Sequence, residues 1–177
     1  MSAVATKVRI FVHAVEGTGA AIVDTRKTLP GLRRAQKYAV RVGGGTNHRI
    51  GLFDGVLIKE NHIAAAGGIK AVLHEALRHA ERGVMVEIEV ETLGQLREAL
   101  TCGARLILLD NFDLAMMREA VAIARAHGDG GAVLEASGGV SLPNLRAIAE
   151  TGVQRISVGS LTKDIDAVDL SMRFRLQ

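Results

Sequence analysis

The sequence predicts an α/β fold, an incomplete (β/α) barrel of about six parallel strands. Three observations carry that expectation. Short apolar runs alternate with helical patterns at intervals of about twenty to thirty residues, which means βα units and a parallel sheet. Polar residues stand at the C-terminal ends of successive runs: Lys59, Glu89, Asp110, Ser137 and Ser160. A barrel builds its site at that face from many strands, whereas an open doubly wound sheet concentrates such residues near one switch point. Finally, 177 residues hold six such runs, short of the roughly 250 residues typical of an eightfold barrel. The length suits one domain spanning 1–177.

Val4, Val8, Phe11, Val12 and Val15 fall at helical spacing, so residues 3–15 read as an amphipathic helix closed by Glu16-Gly-Thr-Gly19. AAIVD (20–24) is the first strand. GGGTNHR (43–49) reads as a flexible glycine-rich loop able to bring His48 and Arg49 to a ligand. The later strands are GVLIK (55–59), VMVEIEV (84–90), RLILLD (105–110), AVLEAS (132–137) and RISVGS (155–160). Helical patterns cover 68–81, 92–101, 113–127 and 142–151, the last opened by Ser141 with Pro143 in its first turn. A helix that begins almost at Met1 has no earlier element to pack it, so the expectation is a catalytic barrel without its beginning.

With 48% hydrophobic residues the chain is expected to be globular. Aromatics make up 3%, which argues against base-stacking platforms and nucleic-acid binding. Lys7 and Arg9 interrupt the N-terminal apolar stretch, so it does not read as a signal peptide. No apolar run approaches membrane-spanning length, and a cytoplasmic protein is expected. The single cysteine, Cys102, excludes an internal disulfide and reads as a small buried thiol between a helix and a strand.

Net charge is only +3, but its distribution is uneven. Between Asp24 and His62 stand eight Lys/Arg residues against three acids. Arg26 and Lys27 follow directly on an apolar strand, where desolvating a charge is costly unless something opposite meets it. Arg26, Lys27, His48, Arg49 and Lys59 together suit a small polyanion, while Arg33, Arg34 and Lys37 read as surface charge. Glu87, Glu89 and Glu91 alternate along one strand face and call for a cation or sugar hydroxyls, Glu91 also reading as an exposed helix cap. Glu89 and Asp110, on adjacent strand ends beside Asn111, suit Mg²⁺ or a ribose diol. Ser137-Gly138-Gly139 and Gly159-Ser160 close the last two strands, where barrels favour phosphate. His74-Glu75 and His79 imitate a zinc motif, but a five-residue step turns the histidines about 140° apart on a helix.

The segments DTRKTLPGLR, YAVRVGGGTNHRIGLFDGVLIKENH, VEIEVET, LILLDN, LEASGGV and VGSLTKDIDAVDLSMRF run in order over essentially the whole chain. In them the sequence resembles quinolinate phosphoribosyltransferase, the carboxylating nicotinate-nucleotide pyrophosphorylase of NAD biosynthesis. The resemblance implies a type II phosphoribosyltransferase barrel that converts quinolinate and 5-phosphoribosyl-1-pyrophosphate to nicotinate mononucleotide, pyrophosphate and CO₂. It also implies Mg²⁺ and a homodimer or larger homo-oligomer. By the same resemblance Thr25, Arg26, Lys27, His48, Arg49 and Lys59 hold quinolinate. Glu89, Asp110 and Asn111 serve the ribose and pyrophosphate, with Glu89 and Asp110 as metal ligands, direct or through water. Ser137, Gly138, Gly139, Gly159 and Ser160 hold the 5-phosphate, and Lys27, Lys59, Glu89 and Asp110 form the catalytic set. The family's N-terminal α/β domain has no counterpart in these segments. Two competitors follow: a sister phosphoribosyltransferase for another pyridine acid, and a barrel fragment that binds ligands with little catalysis.

Overall fold

The structure is a computed structural model describing residues 1–128 and 131–175. In chain order its elements are α1 (Ser2–Ala14), β1 (Ala21–Val23), α2 (Arg33–Val42), β2 (Gly55–Ile58), α3 (Glu60–Ala66), α4 (Ile69–His79) and β3 (Met85–Val90). They continue with α5 (Leu93–Thr101), β4 (Leu106–Asp110), α6 (Leu114–Ala126), β5 (Val133–Ser137), α7 (Leu142–Ala149), β6 (Arg155–Ser157) and α8 (Ser160–Lys163). The six expected strands are all present and parallel, in the order β1-β6-β5-β4-β3-β2. That is the circular order of a barrel opened between β1 and β2, not the reversed order of a doubly wound sheet.

Register sorts the side chains by face. Ile22, Ile58, Ile88, Val90, Ile107, Leu109, Leu134, Ala136 and Ile156 are buried and form the core with the helices. Each large aliphatic among them stabilises the fold by about 1.5–3 kcal/mol. The opposite face reads Leu57, Glu87, Glu89, Leu108, Glu135, Ser137, Arg155 and Ser157, because Leu57 pairs with Glu87, Leu108 with Glu89 and Glu135, and Glu135 with Arg155. A complete barrel fills its interior with branched aliphatics. Here the interior is charged, which marks it as a site.

The gap between β1 and β2 is occupied by residues 43–49, and they are pinned instead of forming a flexible loop. Thr46 bridges to Val23, with Thr46 N–H donating to the Ile22 carbonyl at 2.8 Å and Asp24 N–H to the Thr46 carbonyl at 3.1 Å. Gly43 and Gly45 serve close approach: a Cβ on either would strike Val8 of α1.

Two assignments to surface charge are corrected. Lys37, on the unanticipated helix α2, is 2% exposed, and its ammonium donates to Asp24 Oδ1 at 2.6 Å and the His48 carbonyl at 2.7 Å. Arg33 donates to Thr28 Oγ1 and to the carbonyls of Ile50 and Arg26, tying two loops together. Only Arg34 is exposed as expected. α1 packs against α2, α7 and α8, so its apolar stripe is covered. Cys102 is partly buried at the end of α5.

Candidate active site

The C-terminal ends of the strands open onto a cavity of about 200 Å³ lined by Thr25, Arg26, Lys27, His48, Arg49, Leu57, Lys59, Glu89, Leu108, Glu135, Ser137 and Ser157. All six residues expected to hold a dicarboxylate are in that lining. β1 delivers the Thr25–Lys27 turn, in which Lys27 N–H donates to Thr25 Oγ1 at 3.1 Å. The pinned segment delivers His48 and Arg49, and β2 delivers Lys59.

The cations are unevenly satisfied. Arg49 donates to the Gly55 carbonyl at 2.8 Å, and burial, followed by repulsion from Arg26, holds its guanidinium below the usual arginine range. Lys59 is paired with Glu89 Oε2 while nearly half of its side chain remains exposed. Arg26 is different: its buried Nε has no hydrogen-bond partner among the described residues. Two guanidiniums that repel each other, one with an orphaned buried donor, define an anion site.

His48 lines the cavity with both ring nitrogens engaged. Nδ1 accepts the Arg49 amide at 2.8 Å, and Nε2 lies 2.7 Å from Glu87 Oε2. Beneath the cavity mouth Glu87 and Glu135 are both fully buried, and Arg155 Nε donates to Glu135 Oε2 at 2.6 Å. The acidic row therefore divides. Glu87 meets His48 inside the protein, Glu89 lines the cavity, and Glu91 lies exposed beyond the strand. Donor atoms of His48, Glu87 and Glu135 lie within 4.8 Å of one another. His48 and Arg155 face these carboxylates from the pinned segment and from β6.

Asp110 and Asn111 sit beside the cavity and outside its lining. Asn111 Nδ2 donates to Asp110 Oδ2 at 2.8 Å, and Asn111 is the one non-glycine with positive φ (56°) among the described residues. Its side chain occupies the space above Gly138, where a Cβ would overlap Oδ1, so glycine is required there by Asn111. The β5–β6 register, Ala136 opposite Ile156, sets Gly138–Gly139 beside Val158–Gly159. A Cβ at Gly159 would lie 3.4 Å from the Lys27 side chain, which brings that loop to the basic turn. Ser160 belongs to the first turn of α8 and does not line the cavity; Ser157 does.

Sequence reasoning missed Glu135, Arg155 and Ser157 in the interior, and Asp24 and Lys37 behind it. Glu135 could have been found by extending the two-residue alternation down from Ser137, whereas Ser160 lies beyond β6 and out of phase with Ser157 and Arg155. Asp24 accepts from Lys37, Asn47 and the His48 amide, a set scattered over separate segments.

Fold and site together define a parallel barrel domain whose cavity gathers cations over a charged interior. A family model described as quinolinate phosphoribosyl transferase, C-terminal domain, matches residues 4–173, and the chain belongs to that family. It is 49% identical over 173 residues to the nicotinate-nucleotide pyrophosphorylase [carboxylating] of Mycobacterium leprae, covering 97% of this chain and 60% of that protein. The nicotinate-nucleotide pyrophosphorylase structure from Francisella tularensis superimposes with a TM-score of 0.90 at 48% identity, covering 96% of this chain and 59% of that one. The Ehrlichia chaffeensis enzyme gives 0.85 at 41% identity over 94% and 59%. The chain thus spans about three fifths of the length of these relatives.

Proposed function

We propose that this chain supplies the phosphoribosyl-transfer site of a carboxylating nicotinate-nucleotide pyrophosphorylase: quinolinate and 5-phosphoribosyl-1-pyrophosphate give nicotinate mononucleotide, pyrophosphate and CO₂. The observation that carries this reading is the orphaned Nε of Arg26 facing Arg49 in a cavity sized for a small ring acid.

Arg26, Arg49 and Lys27 hold the two carboxylates, guanidiniums as forks and the ammonium as a point charge. Thr25 shapes the turn that presents them. His48 supports Arg49 through its backbone amide instead of acting as a cation itself. Lys59, paired with Glu89, places one charge of each sign at the rim where the sugar carbon meets the ring nitrogen. Displacement of pyrophosphate builds positive charge on that carbon, which Glu89 and Asp110 stabilise. Once the ring nitrogen is ribosylated, its positive charge stabilises the carbanion left on the neighbouring carbon when the carboxylate departs, so positioning and fixed charge suffice. Gly138, Gly139 and Gly159, with Ser137 and Ser160, cradle the 5-phosphate; Gly139 has open space above it.

The donor set fits Mg²⁺: Glu89 and Asp110 offer hard carboxylate oxygens on neighbouring strands, and Lys59 and Asn111 engage one oxygen of each. When bound there, Mg²⁺ neutralises the leaving pyrophosphate. We further propose a cytoplasmic homodimer; no helix among the described residues is long and apolar enough to cross a membrane.

Calorimetry of quinolinate binding beside a CO₂-release assay tests the reading. Binding of quinolinate in preference to nicotinate supports it, and equal affinity for the monoacid would overturn it in favour of a sister transferase.

A further inference from the structure

The barrel interior holds more carboxylate than binding a polyanion requires. Glu87 and Glu135 are both 0% exposed, and in each the Oε1 atom meets no donor among the described residues. The other oxygens are engaged: Glu87 Oε2 with His48 Nε2, Glu135 Oε2 with Arg155 Nε. Two buried carboxylates this close cannot both remain ionised at low cost, so one carries a proton.

Geometry decides which. His48 Nδ1 accepts the Arg49 amide, so the ring proton is on Nε2 and is donated to Glu87 Oε2, leaving Glu135 without a donor from the histidine. Glu135 faces Glu87 from β3, His48 Nε2 at 3.9 Å from the pinned segment, and Arg155 from β6, while β4 presents only Leu108. Burial, then the charge of Glu87, push its carboxyl above the usual range, against Arg155 and His48. Glu135 also belongs to the cavity lining, and its Oε1 is the carboxyl oxygen that no group among the described residues hydrogen-bonds.

We propose, resting on the functional reading above, that Glu135 is the acid of this site and protonates the pyridine carbon that CO₂ leaves. The carbon–carboxylate bond breaks, CO₂ departs, and the electron pair stays on the ring carbon beside the ribosylated nitrogen. That pair takes the Glu135 proton: the O–H bond breaks as the C–H bond forms, and the new carboxylate is held by Arg155. A solvent proton restores the acid once the product leaves. Neither Lys27 nor Lys59 needs to lose a proton.

Two measurements on the full chain test this. Infrared spectroscopy at neutral pH should show a carboxylic-acid C=O band that E135Q removes. In E87Q the band should persist at low pH and titrate away earlier. No such band in the folded wild type, or a band removed by E87Q and retained in E135Q, overturns the assignment. By microscopic reversibility, Glu135 as a carboxylate also catalyses exchange of the ring proton beside the ribosylated nitrogen. Nicotinate mononucleotide bound to the chain in D₂O should therefore take up deuterium at that carbon, read by proton NMR. The rate should fall roughly a hundredfold in E135Q and recover in part in E135D, with circular dichroism confirming the fold of each variant. Mononucleotide that binds without exchanging, or exchange undiminished in E135Q, overturns this proposal alone. Mononucleotide that does not bind at all overturns the functional reading as well.

Discussion

Arg26 and Lys37 are both cations beside β1, yet opposite outcomes follow from removing them. Lys37 is matched inside the protein by Asp24 at 2.6 Å, and both are buried. Removing one partner of such a pair leaves an uncompensated buried charge, so Lys37→Met should destabilise the fold by about 3–5 kcal/mol, measured by urea unfolding. Arg26 has an unmet buried donor. Arg26→Gln should leave thermal stability equal or higher while quinolinate affinity falls roughly tenfold or more. Lys27, exposed at the rim, belongs with Arg26: Lys27→Ala should weaken binding without moving the melting temperature. A lowered melting temperature with unchanged affinity would make Lys27 structural. Glu135 adds a pH dependence. Its carboxyl is raised in the folded state by burial and by Glu87, so above the ordinary carboxylate range the folded state holds more protons than the unfolded. Its contribution is fully present at low pH and is lost as pH rises towards the folded-state value. E135Q should flatten that decline, and a stability–pH curve unchanged by the substitution would contradict the shift.

At the scale of elements, what the sequence disclosed follows from where apolar residues carry the burial. The six strands and the helices α1, α4, α5, α6 and α7 were legible because their buried positions are aliphatic and periodic. α2 was not, because two of its buried positions are Gln36 and Lys37, so the stripe reads as polar surface. α3 buries nothing, so no stripe exists to be read. The basic rim was legible because its charges follow directly on strands. Glu135 and Arg155 were hidden because they lie within strands, and only register shows them sharing a face with Glu87. Gly44 does use glycine's freedom, at φ 92°, but Gly43 and Gly45 are there for close packing against Val8 of α1. Gly43→Ala should therefore separate that segment from α1 and loosen the Thr46–Val23 bridge. Hydrogen exchange at the Thr46 amide should quicken by at least tenfold; protection equal to wild type would show that α1 yields instead.

For the whole molecule the open question is how much catalysis the barrel performs alone. The interior carboxylates Glu87 and Glu135 are fully buried, but the rim is open: Lys27 is exposed and Lys59 nearly half so. Water at the rim screens the charges that position the dicarboxylate and the developing positive carbon, while leaving those at the floor intact. Affinity should survive this better than rate, since transition-state charge depends most on a water-excluded surrounding. Leu52 and Phe53 are 73% and 78% exposed and Tyr38 62%, exposed apolar side chains that favour self-association of the chain. We expect the 177-residue chain to bind quinolinate yet turn it over more slowly, by several orders of magnitude, than a full-length relative such as the Mycobacterium leprae protein. Light scattering should show concentration-dependent oligomers that Phe53→Ser reduces. Assays of both proteins at equal concentration with quinolinate, donor and Mg²⁺ decide the matter. Comparable rates would mean that a charged barrel interior suffices for catalysis even with its rim open to water.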